Sequence, residues 1–134
     1  MNLSKAQILA HFEVWLDAWN RHDLEGVMQW LDDTVRFQAW TGSSVRGKAS
    51  LRRAWTPWFA NHGDFKFVTE DLFVDEGEQK LLFQWALDWP AGSMESHAAR
   101  ELRRGVDVIH LRDGKIVEKL TYTKLSAQRV EVGT

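Results

Sequence analysis

Val106-Asp107-Val108-Ile109-His110-Leu111-Arg112-Asp113-Gly114-Lys115-Ile116-Val117-Glu118-Lys119-Leu120 reads as two strands joined by a tight turn. Valine, isoleucine and leucine dominate both halves. Asp113-Gly114 is a two-residue hairpin signal, since such turns need positive φ at their centre. Working outward, the first strand extends back over 98–112 and the second runs over 115–125. Upstream, 65–75 and 79–89 read as two further strands joined by Glu76-Gly77-Glu78. Residues 90–97 are a loop, and 126–134 are expected to fray.

The N-terminal half has helical spacing. Ser4 and Gln7 form a capping-box pattern. Ile8, Leu9, Phe12, Trp15, Leu16 and Trp19 then follow one helix face. Asp23 caps a second helix whose apolar stripe is Leu24, Val27, Met28 and Leu31, stopped by Asp32-Asp33. Residues 34–40 read as a strand and 41–44 as a turn. Gly47 opens a third helix, with Leu51, Ala54, Trp55, Trp58 and Phe59 on one side. Pro57 predicts a kink or restart within it. Three helices followed by a meander of antiparallel strands predict an α+β fold. Its helices pack on one face of a bent sheet, as one domain over 1–134.

Composition narrows the function classes. The chain has 134 residues, 44% of them apolar, with a formal net charge of −2 and no cysteine. That charge gives no field for nucleic acid or anionic lipid. Disulfide and thiolate chemistry are excluded. The N-terminus lacks the apolar core of a signal peptide, and no apolar run is long enough to span a bilayer. The expected setting is cytoplasmic, with no membrane or nucleic-acid partner. The five histidines have no metal-ligand spacing on one element, so no metal and no cofactor is expected. Eight tryptophans stand against one tyrosine.

Several short motifs carry a resemblance. Trp19-Asn20-Arg21-His22-Asp23-Leu24-Glu25-Gly26-Val27, Asp33-Thr34-Val35, Gly47-Lys48 and Asp113-Gly114-Lys115-Ile116-Val117 occur in that order. Together they resemble the SnoaL-like and ketosteroid-isomerase-like branch of the nuclear transport factor 2-like superfamily, over residues 5–125. The resemblance implies a cone of strongly curved sheet wrapped around three helices, with a pocket at its wide end. It also implies a twofold dimer through the outer sheet face. Members include isomerases, polyketide cyclases, epoxide hydrolases, dehydratases and binding proteins, so fold alone leaves the chemistry open.

Against ketosteroid isomerases, the catalytic tyrosine falls on Trp15, the general-base aspartate on Ala39 and the second aspartate on Asp107. Alanine moves no proton, which counts against steroid isomerisation. The Asp-Arg-Asp set of the epoxide hydrolases is broken, since Gly105 stands two residues before Asp107. A polyketide-cyclase role for one pocket aspartate is compatible with Asp107.

Asp107 is therefore the candidate catalytic residue. Strand alternation puts Glu101, Arg103, Gly105, Asp107, Ile109 and Leu111 on one side, which the resemblance turns toward the pocket. A carboxyl between valines is poorly solvated and is expected to titrate above about 3.9, as a general acid does. The competing reading is a structural aspartate bonded to Trp15 or Tyr122, or one solvated on the outer face. Arg103 lies about 13 Å along the strand from Asp107, at about 3.3 Å per residue. It is expected at the pocket mouth, partnering Glu101 or an anionic substrate group. Trp15, Trp40, Trp55, Trp58, Trp85, Trp89 and Tyr122 are the candidate pocket walls, against the alternative of core packing.

The expected role is a pocket for a small apolar or aromatic molecule, with acid/base catalysis of isomerase, cyclase, lyase or hydrolase type. A non-catalytic carrier and a protein-interaction module are the competing readings.

Overall fold

A computed structural model describes residues 1–90, 99–124 and 128–131. The described residues form three helices and seven strands. The helices are α1 (Lys5–Asn20), α2 (Leu24–Met28) and α3 (Lys48–Asn61). The strands are β1 (Leu31–Gln38), β2 (Ser44–Arg46), β3 (Lys66–Asp75), β4 (Lys80–Trp89), β5 (Ala99–Arg112), β6 (Lys115–Thr123) and β7 (Gln128–Glu131).

α1 begins where the capping box places it. The Ser4 hydroxyl accepts from the Gln7 amide at 3.2 Å, and the Gln7 side chain accepts from the Ser4 amide at 2.8 Å. Ile8, Phe12, Trp15, Ala18 and Trp19 are its buried face. α2 is shorter than its apolar stripe predicts. Leu31 leaves the helix and pairs with Ile116, and Asp32 and Asp33 continue the strand instead of stopping a helix. The Trp30 indole donates to the Gly114 carbonyl at 3.0 Å, tying this exit to the β5–β6 turn. Residue 44, read as the end of a turn, instead opens β2.

α3 runs through Pro57 as one helix, without the expected restart. Proline leaves the Arg53 carbonyl without its usual donor. One residue earlier, the Thr56 hydroxyl donates to the Arg52 carbonyl at 2.7 Å, adding a side-chain bond within the same turn.

The sheet runs β2-β1-β6-β5-β4-β3, with β7 also pairing β5. Neighbours are antiparallel except β1 and β6, which are parallel. The fold is α+β, with the three helices and one sheet face enclosing the core. The tail expected to fray over 126–134 contains β7, which pairs Gln128–Glu131 with Ala99–Leu102. The rest of that tail, and the expected loop over 90–97 apart from Pro90, lie outside the described residues.

Candidate functional site

Alternation along β4 turns Leu81, Phe83, Trp85, Leu87 and Trp89 toward the helices. β5 does the same with Asp107, Ile109 and Leu111. Between this face, α1 and α3 lies a cavity of about 280 Å³. Trp15, Trp40, Trp55, Trp58 and Trp85 line it, with Asp107 at its wall. Ala39 and Trp19 line it as well.

One polar cluster breaks the apolar lining. Asp107 is 4% exposed and Lys119 6%. The Lys119 Nζ lies 3.3 Å from Asp107 Oδ2 and donates to the Thr121 hydroxyl at 2.8 Å. That hydroxyl donates to Asp107 Oδ1 at 2.8 Å. Lysine, threonine and aspartate thus close a ring of polar contacts. The Asp107 carboxyl is paired with a cation, which its valine neighbours in the sequence do not announce.

The Lys119 ammonium also faces aromatic rings. Its Nζ is 4.7 Å from the Phe37 centroid, 5.7 Å from that of Trp55 and 5.9 Å from that of Trp19. Burial holds its pKa below the ordinary lysine value, opposed by the charge and hydrogen bond of Asp107. Ring faces attract a desolvated cation. They replace only part of its lost hydration.

The tryptophans fall into two groups. Trp15 is core as well as wall, since its indole donates to the Val27 carbonyl at 3.1 Å. Trp19 and Trp55 meet edge to face with centroids 4.9 Å apart, beside the lysine. Farther along, Trp40 contacts Trp58, Trp85 and Trp89 at 6.2, 6.3 and 6.2 Å. The buried indole N–H groups of Trp58 and Trp85 have no hydrogen-bond partner among the described residues.

Three expected site residues stand elsewhere. Trp89 is outside the lining, and its indole donates to Glu101 Oε1 at 3.3 Å. Tyr122 does not reach the cavity. It pairs with Val106 on the outer sheet face, one position out of phase with Thr121, and is 51% exposed. A one-residue offset on a strand reverses the face. Arg103 is not part of the lining. Its guanidinium pairs with Glu101 at 2.8 Å and lies 5.1 Å from the Trp40 ring centroid, so it touches the site only through that indole. Glu101 is one of the two partners expected for it.

Lys119 and Thr121 are the polar lining residues that strand reading misses, while Trp19, on the expected face of α1, lines the cavity as well. No group of metal-binding side chains and no helix long and apolar enough to cross a membrane is found among the described residues.

Solved structures share this architecture at low identity. A protein of unknown function from Mesorhizobium loti, described as NTF2-like, is 19% identical with a TM-score of 0.73, covering 92% of this chain and 96% of its own. A Mycobacterium tuberculosis protein is 17% identical with a TM-score of 0.76, covering 96% and 100%. A computationally designed 17-OHP binder is 16% identical with a TM-score of 0.73, covering 92% and 96%. At these identities the likeness concerns fold. No curated protein matches the sequence. Residues 12–119 match the SnoaL-like domain. The chain therefore belongs to the SnoaL-like domain family, with the NTF2-like fold.

Proposed function

We propose that the cavity takes a small apolar or aromatic molecule and that Asp107 catalyses proton transfer on it, in an isomerase, cyclase, lyase or hydrolase type of reaction. One observation carries this reading: the polar cluster of Asp107, Thr121 and Lys119 is set in an aromatic cavity wall. Asp107 is suited to take a proton from a bound substrate, and Lys119 to stabilise the negative charge that develops. Steroid isomerisation through a base at position 39 is disfavoured, because Ala39 lines the cavity without a proton-carrying group. The fold is compatible with a small-molecule pocket, as the design of a 17-OHP binder on it supports.

Binding is tested by intrinsic fluorescence and thermal shift with steroids, terpenoids and polyaromatics. With Trp15, Trp19, Trp40, Trp55, Trp58 and Trp85 around the ligand, a binder should quench emission. At about a hundredfold over Kd it should add about 2.7 kcal/mol of stability. A panel with neither quenching nor shift would remove the small-molecule reading.

The same reading includes a homodimer through the outer sheet face. Val68, Phe73 and Tyr122 are exposed there, next to half-buried Leu82, Val106, Val108 and Leu120. An apolar sheet face of this kind is usually covered. Sedimentation at micromolar concentration should give twice the chain mass of 15.6 kDa, and a lone monomer would count against the dimer.

A further inference from the structure

Lysines ordinarily lay their methylenes on apolar surface and keep the ammonium in water. Lys119 does the reverse. Its side chain is 8% exposed and its Nζ is enclosed by Phe37, Trp19, Trp55, Thr121 and Asp107, at the wall of the cavity. A primary amine in an apolar cavity, beside a carboxyl group that can exchange its proton, is suited to attack a carbonyl carbon.

We infer that Lys119 is a nucleophile that captures an apolar aldehyde or ketone in this cavity as an imine, with Asp107 moving the protons. The inference rests on the proposed small-molecule role of the cavity and names its substrate class. The Lys119 ammonium first gives a proton to the Asp107 carboxylate, 3.3 Å away. The freed nitrogen pair forms the C–N bond while the carbonyl π pair moves onto oxygen. Asp107 protonates that oxygen and takes a second proton from nitrogen, leaving a carbinolamine. It then protonates the hydroxyl, which departs as water as the nitrogen pair forms the C=N bond. In the net change, the Lys119 ammonium and one carbonyl compound give one protonated imine on Nζ and one water. Asp107 is again a carboxylate, and the single positive charge stays on nitrogen.

The desolvation that holds the Lys119 pKa down favours the neutral amine this step needs. The far group of tryptophans narrows the substrate further. Trp85 lies two residues along β4 from Phe83, which pairs with Asp107, so about 7 Å along the strand. Its indole N–H and that of Trp58 lack acceptors among the described residues. A flat carbonyl compound with a second oxygen acceptor at its far end would satisfy them.

The test uses the whole chain, with 2-naphthaldehyde and sodium cyanoborohydride at neutral pH and 2-methylnaphthalene as the carbonyl-free control. Peptide mass mapping should find one naphthylmethyl group on Lys119, added about tenfold faster than on exposed Lys66 or Lys80. Lys119→Arg keeps the positive charge and forms no imine, so it should lose this fast label while naphthaldehyde still quenches its fluorescence. Lys119→Met serves the same purpose if the arginine does not fit. If both naphthalenes quench the native protein and Lys119 is labelled no faster than the exposed lysines, the imine is wrong and the binding reading stands. If neither naphthalene quenches and Lys119 stays unlabelled, this inference falls with the cavity's proposed use for flat aromatics.

Discussion

Asp107→Asn is expected to cost about 3 kcal/mol of stability at neutral pH, at the lower end of what breaking a buried ion pair costs. The amide still accepts from the Thr121 hydroxyl, but it cannot neutralise Lys119 at 3.3 Å. The lysine limits the loss by giving up its proton. Its pKa in the folded chain already lies below the ordinary value because of burial. Between that folded value and about 10.4, the unfolded chain holds the proton and the folded chain does not. Stability therefore rises with pH across that window. Removing the aspartate lowers the folded value further, so the rise begins at lower pH in the variant. Its deficit shrinks toward alkaline pH. Denaturant midpoints at neutral and alkaline pH measure this. The double variant Asp107→Asn with Lys119→Met should recover most of the loss, because no charge is left buried. An asparagine variant as stable as the native chain at neutral pH would show that the pair is not held as ions.

Gly105→Ala is the second large effect, expected at about 3 kcal/mol for a side chain added where nothing can yield cheaply. A Cβ there would lie 2.7 and 2.8 Å from two ring carbons of Trp85 and would collide with the Tyr122 backbone carbonyl. Trp85 is 1% exposed and packs on Phe67 and Trp40. The strand partner cannot move without breaking the β5–β6 ladder, and the indole cannot move without reshaping the cavity wall. Adding Trp85→Leu should restore part of the stability while weakening fluorescence quenching by ligands. Thermal melts settle it: a Gly105→Ala chain within about 0.5 kcal/mol of the native one, the range of ordinary surface changes, would mean that the wall is soft.

Much of this arrangement is legible in residue order. The capping box at Ser4, the inward set of β5 and the tryptophans of α1 and α3 follow from periods of 3.6 and 2. Lys119 does not. A two-residue turn at Asp113-Gly114 with unbroken pairing would set Leu120 opposite Asp107, and Lys119 would then point out. The register instead slips between His110 and Leu111, so that Ile116 pairs with Leu111 while Thr121 pairs with Asp107. The extra residue turns Val117 and Glu118 away from the core and brings Lys119 and Thr121 inside. Nothing in the local composition marks that bulge. The outward face of Tyr122 is hidden for the same reason, since its side of β6 depends on which residue is spare. Leu31 escapes helix reading because its partner, Ile116, is distant in sequence. A local stripe gives no sign of such a contact.

The parallel pairing of β1 with β6 joins strands that are made far apart in time. The Trp30 indole reaches the Gly114 carbonyl across 84 residues, and Leu31 pairs with Ile116 just beyond it. β1 and β2 are made before β6, so one edge of β1 waits unpaired. Long-range pairing of this kind delays folding. A chain arrested before Lys115 holds Trp15, Trp19 and Trp55 but lacks the strand that carries Lys119. Trp19 and Trp55 then lack the strand whose ammonium they face, and apolar surface left open in this way is what makes a partly made chain prone to aggregate.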